Sequence, residues 1–140
     1  MKITGYRLET FVQKLDRAIG DSNYPAGDDL MTLAVLWIDT DEGISGIAPA
    51  GNSAVESLFH VIEGKDPRGV VGLWKNMVDW VHKGNNEGEV NGAIAAIDIA
   101  LWDLKAKLND EPLWQTLGAR EGRAKAYASD IGYNLSDDEL

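Results

Sequence analysis

Between Gly92 and Gly118 the chain reads GAIAAIDIALWDLKAKLNDEPLWQTLG, and no other stretch limits the possible folds as tightly. It has the pattern of a helix whose apolar positions leave almost no solvent face, closed by a Pro-Leu and a Leu-Gly. At 100° per residue, Ile94, Ile97, Leu101, Leu104 and Leu108 fall on one stripe. Ala93, Ala96 and Ala100 form a second stripe of small side chains, which lets a neighbouring element approach closely. Only the strip with Asp103 and Lys107 is polar, and these two make an i,i+4 pair of the kind that supports an exposed helix edge. A helix apolar on nearly all sides belongs between layers. Asp98 stands at the edge of the apolar stripe, where a carboxylate must be paired or hydrogen-bonded. Its reading is structural.

The residues before this helix change period partway. Ile3 to Phe11 supplies β-favouring side chains, and Met31 to Ile38 (MTLAVLWI) is a stronger strand. Asp39 to Gly43 makes a turn, and Ile44 to Ala48 resumes as a strand. The expectation is a three-stranded antiparallel meander. Helical spacing follows: a helix from Ser53 with Val55, Leu58, Phe59 and Ile62 on one side, and Ser53 and Glu56 as a capping box. Gly64 to Pro67 ends it. A second helix over Val70 to Val81 carries Leu73, Trp74, Met77, Val78 and Val81 along one face. Gly84 to Gly88 separates it from the long helix. A sheet followed by a helical bundle is α+β organisation rather than βαβ alternation.

After Gly118 a charged linker, Ala119 to Arg123, leads to a strand-like run from Ala126 to Tyr133 (AYASDIGY). Ser136 and Glu139 then form a second capping box. A strand and an opening helix read as the start of something larger.

Bulk properties exclude several function classes. A net charge of −10 leaves nothing to neutralise phosphates, which argues against nucleic acid and against an anionic membrane surface. No run is long enough to span a bilayer, and the N-terminus lacks the apolar core of a signal peptide. With no cysteine, neither a disulfide framework nor a thiolate metal site exists. That composition fits a cytoplasmic protein.

Four places attract a functional reading beside a plainer one. Gln13 to Asp29 joins the first two strands without periodicity and is rich in turn-formers, so it is a lid or a floppy hairpin insertion. Ala50, Gly51, Asn52 and Ser53 precede a helix N-terminus, which suits a carboxylate, although Ser53 is explained by capping its own helix. Ser129 and Asp130, with Tyr133, lie near the end of the last strand, where an Asp side chain also orders a turn. His60 and Glu56, one turn apart, fall short of the three protein ligands of a catalytic zinc. The five tryptophans, Trp74, Trp80, Trp102 and Trp114 among them, read as core or interface.

Ala93, Ala95, Ala96, Ile97, Asp98, Ala100, Leu101, Asp103, Leu104, Ala106, Lys107, Pro112, Leu113, Leu117 and Gly118 carry a resemblance. Their ordered gaps resemble the signature helix of the mandelate racemase and muconate lactonizing enzyme family, in the enolase superfamily. Thr116 departs from it, where the family usually has leucine. The resemblance implies an enolase-type capping domain over residues 1–123, and the first strand and helix start of a TIM-type (β/α) barrel over 124–140. A full barrel takes about 250 residues, so the chain is expected to be the front part of a longer enzyme.

The implied chemistry is removal of a proton from the carbon next to a carboxylate, with magnesium holding the enediolate. Metal ligands and catalytic bases are expected beyond Leu140, with none in this chain, and the fragment alone is expected to be inactive. Lys105 and Lys107 have the spacing of a catalytic pair but sit on the signature helix. The expected substrate is a small-molecule carboxylate, an acid sugar, handled by a dehydratase that assembles as a homo-oligomer. A racemase, epimerase or cycloisomerase of the same family, or a stand-alone interaction domain, are the alternatives. The resemblance makes the Gln13–Asp29 connection a lid, with Asn23 and Tyr24 as substrate contacts. It makes Gly51 and Asn52 part of the pocket wall, and brings Ser129 and Asp130 to the barrel mouth.

Overall fold

The computed structural model describes residues 1–21, 23–51, 54–82, 88–127 and 135–138. Strands β1 (Ile3–Ile19), β2 (Asp28–Thr40) and β3 (Ser45–Ala50) are followed by helices α1 (Val55–Ile62), α2 (Val70–Val81), α3 (Glu89–Leu108) and the single turn α4 (Leu113–Thr116). The chain divides into two compact units, Met1–Thr10 with Leu33–Gly122, and Phe11–Thr32 with Arg123–Leu140.

The sheet is the expected meander, in the order β1-β2-β3. β2 and β3 pair antiparallel with Leu36 opposite Ala48 and Ile38 opposite Gly46. Alternation then decides the faces. Leu36, Ile38 and Ala48 are buried together with Ile3, while Trp37 and Asp39 lie on the opposite face. There the Arg7 guanidinium stacks 5.0 Å from the Trp37 ring centre and binds Asp39 through Nε (3.0 Å) and Nη2 (3.1 Å). Those bonds hold Asp39 below the usual carboxylate range. The turn between β2 and β3 places Gly43 at φ 77°, and the buried Thr40 hydroxyl donates to the Ile44 carbonyl at 2.7 Å. The start of β1 is tied to the loop after α1, where Gly64 N–H donates to the Ile3 carbonyl and Ile3 N–H to that of Lys65.

The core follows from the helical stripes. Val55, Leu58 and Ile62 of α1, Val70, Leu73 and Met77 of α2, and Ile94, Ile97 and Leu101 of α3 close over the buried sheet face. Each such side chain, fully buried, contributes roughly 1.5–3 kcal/mol. The small-residue stripe of α3 works as its pattern implies. Gly46 of β3 lies so close to α3 that an added Cβ would sit 2.0 Å from the Ala100 carbonyl oxygen and 2.8 Å from Leu104 Cβ.

Several elements differ from expectation. Strands β1 and β2 run far into the Gln13–Asp29 segment, leaving a connection of only Gly20 to Gly27. Pairing between the arms sustains these strands without burial: Phe11, Val12, Ile19, Leu30, Met31 and Leu33 are exposed, and Lys14 reaches Asp29 at 3.6 Å. β3 begins at Ser45, and α1 at Val55 with Ala54 in the cap position; Ser53 lies outside the described residues. The long helix stops at Leu108. There Asp110 adopts φ 52°, and the amides of Asp110 and Glu111 turn back to the carbonyls of Lys107 and Ala106. This is a Schellman end with aspartate where glycine is usual. α4 closes the same way at Gly118, φ 74°, as the Leu-Gly signal implies. Of the proposed last strand, Ala126 and Tyr127 are irregular and 128–133 lie outside the described residues, as does Glu139 of the second capping box.

None of the five tryptophans is fully buried, although the half-buried Trp102 packs against the core. Four of them have a distinct neighbour: Trp37 lies beneath Arg7, Trp80 edge-on to His60, Trp102 beneath Lys105, and Trp114 beside Gly122.

The Gly46 contact is testable. Gly46→Ala drives a methyl into a main-chain carbonyl, which no rotamer change relieves, and is expected to cost about 3 kcal/mol, the upper end of overpacking penalties. A urea midpoint equal to wild type would show that β3 and α3 are not held this closely.

Candidate functional site

The residues singled out by sequence fall in three places, beginning with the rim of α3. Asp103 and Lys107 form the expected i,i+4 pair, with Lys107 Nζ 2.6 Å from Asp103 Oδ2. Their role is larger than an exposed helix edge. The same carboxylate oxygen accepts the Ile47 amide at 2.8 Å, and Lys107 Nζ donates to the Ser45 carbonyl at 2.9 Å. Residues 45 and 47 point these groups to the same side of β3, the side away from β2. The pair therefore satisfies the open edge of the sheet, which a strand otherwise leaves free to bond elsewhere. Lys105 lies 5.0 Å over the Trp102 ring. Both lysines of the Lys-x-Lys spacing thus have structural partners.

The open side of α3 is not the Asp103–Lys107 strip alone. Ala95 and Ile99 are exposed and Trp102 is half-buried, so one apolar strip of the helix remains uncovered among the described residues. Asp98 flanks that strip. Burial pushes its carboxyl above the usual 3.8, partly opposed by a hydrogen bond with Trp102. At the helix end, Thr116, the departure from the family pattern, donates its hydroxyl to Glu111 Oε1 at 2.8 Å, and Asn109 Nδ2 donates to the same atom at 2.9 Å. Together they hold Glu111 below its ordinary value, Asn109 contributing more.

The second place is the hairpin tip. Asn23 and Tyr24 are both exposed. Asp21, one of the turn-formers of this segment, accepts at Oδ1 the amides of Asn23 (2.7 Å) and Tyr24 (2.9 Å). An Asp within a stretch of turn-formers is the signal for such a turn, since its side chain can accept the amide two residues on.

The third is the segment after β3. Gly51 is exposed, with open space where a Cβ would lie. Asn52 and Ser53 lie outside the described residues, as do Ser129, Asp130 and Tyr133. Hence the structure describes Asn23, Tyr24 and Gly51 of the six proposed substrate contacts.

Among the described residues no three His, Asp or Glu side chains gather as a metal ion requires. His60 stacks edge-on against Trp80 at 4.6 Å rather than sharing a ligand with Glu56. The described residues do not form a cradle for magnesium. No helix among them is long and apolar enough to cross a membrane.

An antiparallel meander backed by α1 to α3, with the α3 rim bonded to the sheet edge, defines an α+β capping domain. Residues 29–118 match the family described as mandelate racemase / muconate lactonizing enzyme, N-terminal domain, and the chain belongs to that family. A D-galactonate dehydratase family member of Marinomonas sp. (strain MWYL1) is 40% identical over 100 residues, covering 63% of this chain and 24% of that protein. The solved structure of a member of the enolase superfamily from Polaromonas sp. JS666 is similar, with a TM-score of 0.77, 26% identity, and coverage of 99% of this chain and 39% of that one. A racemase from Streptomyces coelicolor A3(2) with bound magnesium gives a TM-score of 0.69 at 27% identity, over 83% of this chain and 35% of its own. The chain spans between 23% and 38% of the length of the curated relatives it matches.

Asp98 provides a pH test. A carboxyl raised above 3.8 in the folded state binds its proton more tightly there than in the unfolded chain. Its contribution therefore falls as pH rises from 3.8 upward through the folded value. Asp98→Asn is expected to remove that loss, so its stability relative to wild type should grow between pH 3 and 6. Parallel stability curves for the two proteins across this range would contradict the desolvated setting of Asp98.

Proposed function

We propose that this chain is the capping part of a metal-dependent enolase-superfamily enzyme that removes the proton next to the carboxylate of an acid sugar and eliminates water. Family membership over residues 29–118, joined to 40% identity with a D-galactonate dehydratase family member, is the observation that carries this reading. In it, residues 1–123 form the cap and 124–140 begin a (β/α) barrel, whose remaining part supplies the bases and metal ligands. Magnesium, which the Streptomyces coelicolor racemase binds, would stabilise the charge that develops on the substrate carboxylate.

The cap's contribution is selection. Asn23 and Tyr24 would meet the substrate from the hairpin tip, Gly51 and Asn52 would line the pocket wall, and Ser129 and Asp130 would stand at the end of the first barrel strand. The enzyme would be a cytoplasmic homo-oligomer, consistent with a chain without cysteine.

Full-length enzyme incubated with a panel of six-carbon sugar acids and magnesium tests the reading. The expected result is a 2-keto-3-deoxy product from at least one of them, abolished by EDTA and restored by magnesium. Exchange of the proton next to the carboxylate with solvent, without loss of water, would replace dehydratase by racemase. No exchange and no product from any acid sugar would overturn the substrate class.

A further inference from the structure

We propose that Asp21 is a positioning residue for substrate selection, acting through the main chain of the hairpin tip; this rests on the reading of that tip as a substrate-contacting lid. A connection of eight residues, Gly20 to Gly27, carries Asn23 and Tyr24, and such a loop left loose would have to be ordered each time a substrate bound. Here much of the ordering is already done. Asp21 Oδ1 accepts the amides of both Asn23 and Tyr24, at 2.7 and 2.9 Å. The Tyr24 carbonyl in turn accepts the amides of Asp21 at 3.2 Å and Gly27 at 3.1 Å. Tyr24 is thus fixed by its amide and its carbonyl, while the residue stays 56% exposed.

The neck of the loop leaves no room for a side chain at either end. A Cβ at Gly20 would lie 2.7 Å from the Tyr24 carbonyl oxygen, and one at Gly27 would lie 2.7 Å from the Ile19 main chain. Gly27 also has φ +66°, where a side chain is strained. The tip is a closed unit, pinned at its neck by two glycines and at its crown by one carboxylate. Because these two bonds of that carboxylate go to main-chain amides, Asp21 acts on substrate through the placement of Asn23 and Tyr24. Loss of such pre-ordering weakens ground state and transition state alike, so it raises KM and spares kcat.

The test uses full-length enzyme with its best acid-sugar substrate, and amide hydrogen exchange at the tip. Asp21→Ala is expected to raise KM about 3–10-fold, the range expected from hydrogen bonds lost at an exposed site, with kcat within about twofold. Exchange at the Asn23 and Tyr24 amides should accelerate in the same variant. Asp21→Asn keeps an acceptor oxygen and should restore both readouts, whereas Gly27→Ala should raise KM with Asp21 intact. An unchanged KM in Asp21→Ala, or equal damage in Asp21→Asn, overturns the proposal. Faster tip exchange in Asp21→Ala with KM unchanged overturns the lid reading but leaves the bracing in place, whereas wild-type enzyme inactive on every acid sugar overturns the substrate class. Turnover with tip exchange indifferent to Asp21 overturns the bracing alone.

Discussion

Helix α3 lies against strand β3 with no side chain between them at Gly46, and the rest of the first compact unit is arranged around that contact. The approach requires small groups on both sides, glycine on the strand and Ala100 on the helix. Once the backbones are this near, Asp103 and Lys107 reach the polar edge of the strand, and Ile94, Ile97 and Leu101 cover Leu36, Ile38 and Ala48. α1 and α2 then pack on what remains of α3. The apolar stripe supplies most of the free energy. The backbone contact and the two charged residues set the register, because bonds to Ile47 and Ser45 form at only one sliding position of helix on strand.

Much of this was readable from residue pattern alone. α2 falls over Val70–Val81 as its periodicity implies, and the two stripes of α3 do what their spacing suggests. What the pattern could not show was the partner of Asp103 and Lys107. Both bond main-chain groups more than fifty positions earlier, and a main-chain amide leaves no trace in side-chain periodicity. The end of α3 was hidden for a related reason. Asn109 and Asp110 look like an ordinary polar turn of helix until Asp110 is seen in the left-handed region. The arms of the β1–β2 hairpin were missed because their strands are held by pairing to one another, and apolar residues that face solvent give no alternation to read.

For the candidate site, residue types mark the hairpin tip but not how that tip is held. Turn-forming residues mark the hairpin tip, and its residues Asn23 and Tyr24 are exposed. The fixing of that tip by Asp21 emerges only from hydrogen-bond geometry. Asp98 shows the opposite pattern. Its angular position beside Ile94 and Leu101 foretold desolvation, and its carboxyl is indeed pushed upward by burial. A strip of α3 bearing Ala95, Ile99 and Trp102 stays uncovered among the described residues, so the helix is less enclosed than its composition suggests. Membership of the mandelate racemase / muconate lactonizing enzyme family gives that strip a context, since the chain covers less than two-fifths of its curated relatives. In the proposed reading the cap selects the substrate, and the chemistry belongs to residues other than those described.

Native-state hydrogen exchange at the Ile47 amide tests the central contact most directly. Ile47 lies on an edge strand with its amide on the outer side, and the residue is 44% exposed, so without the Asp103 bond its amide would exchange through local fraying. The account predicts protection of this amide close to that of the core amides of β2, opening only when the unit unfolds. Exchange at the rate of a frayed edge, in wild-type protein at neutral pH, would contradict the claim that α3 holds β3 in place.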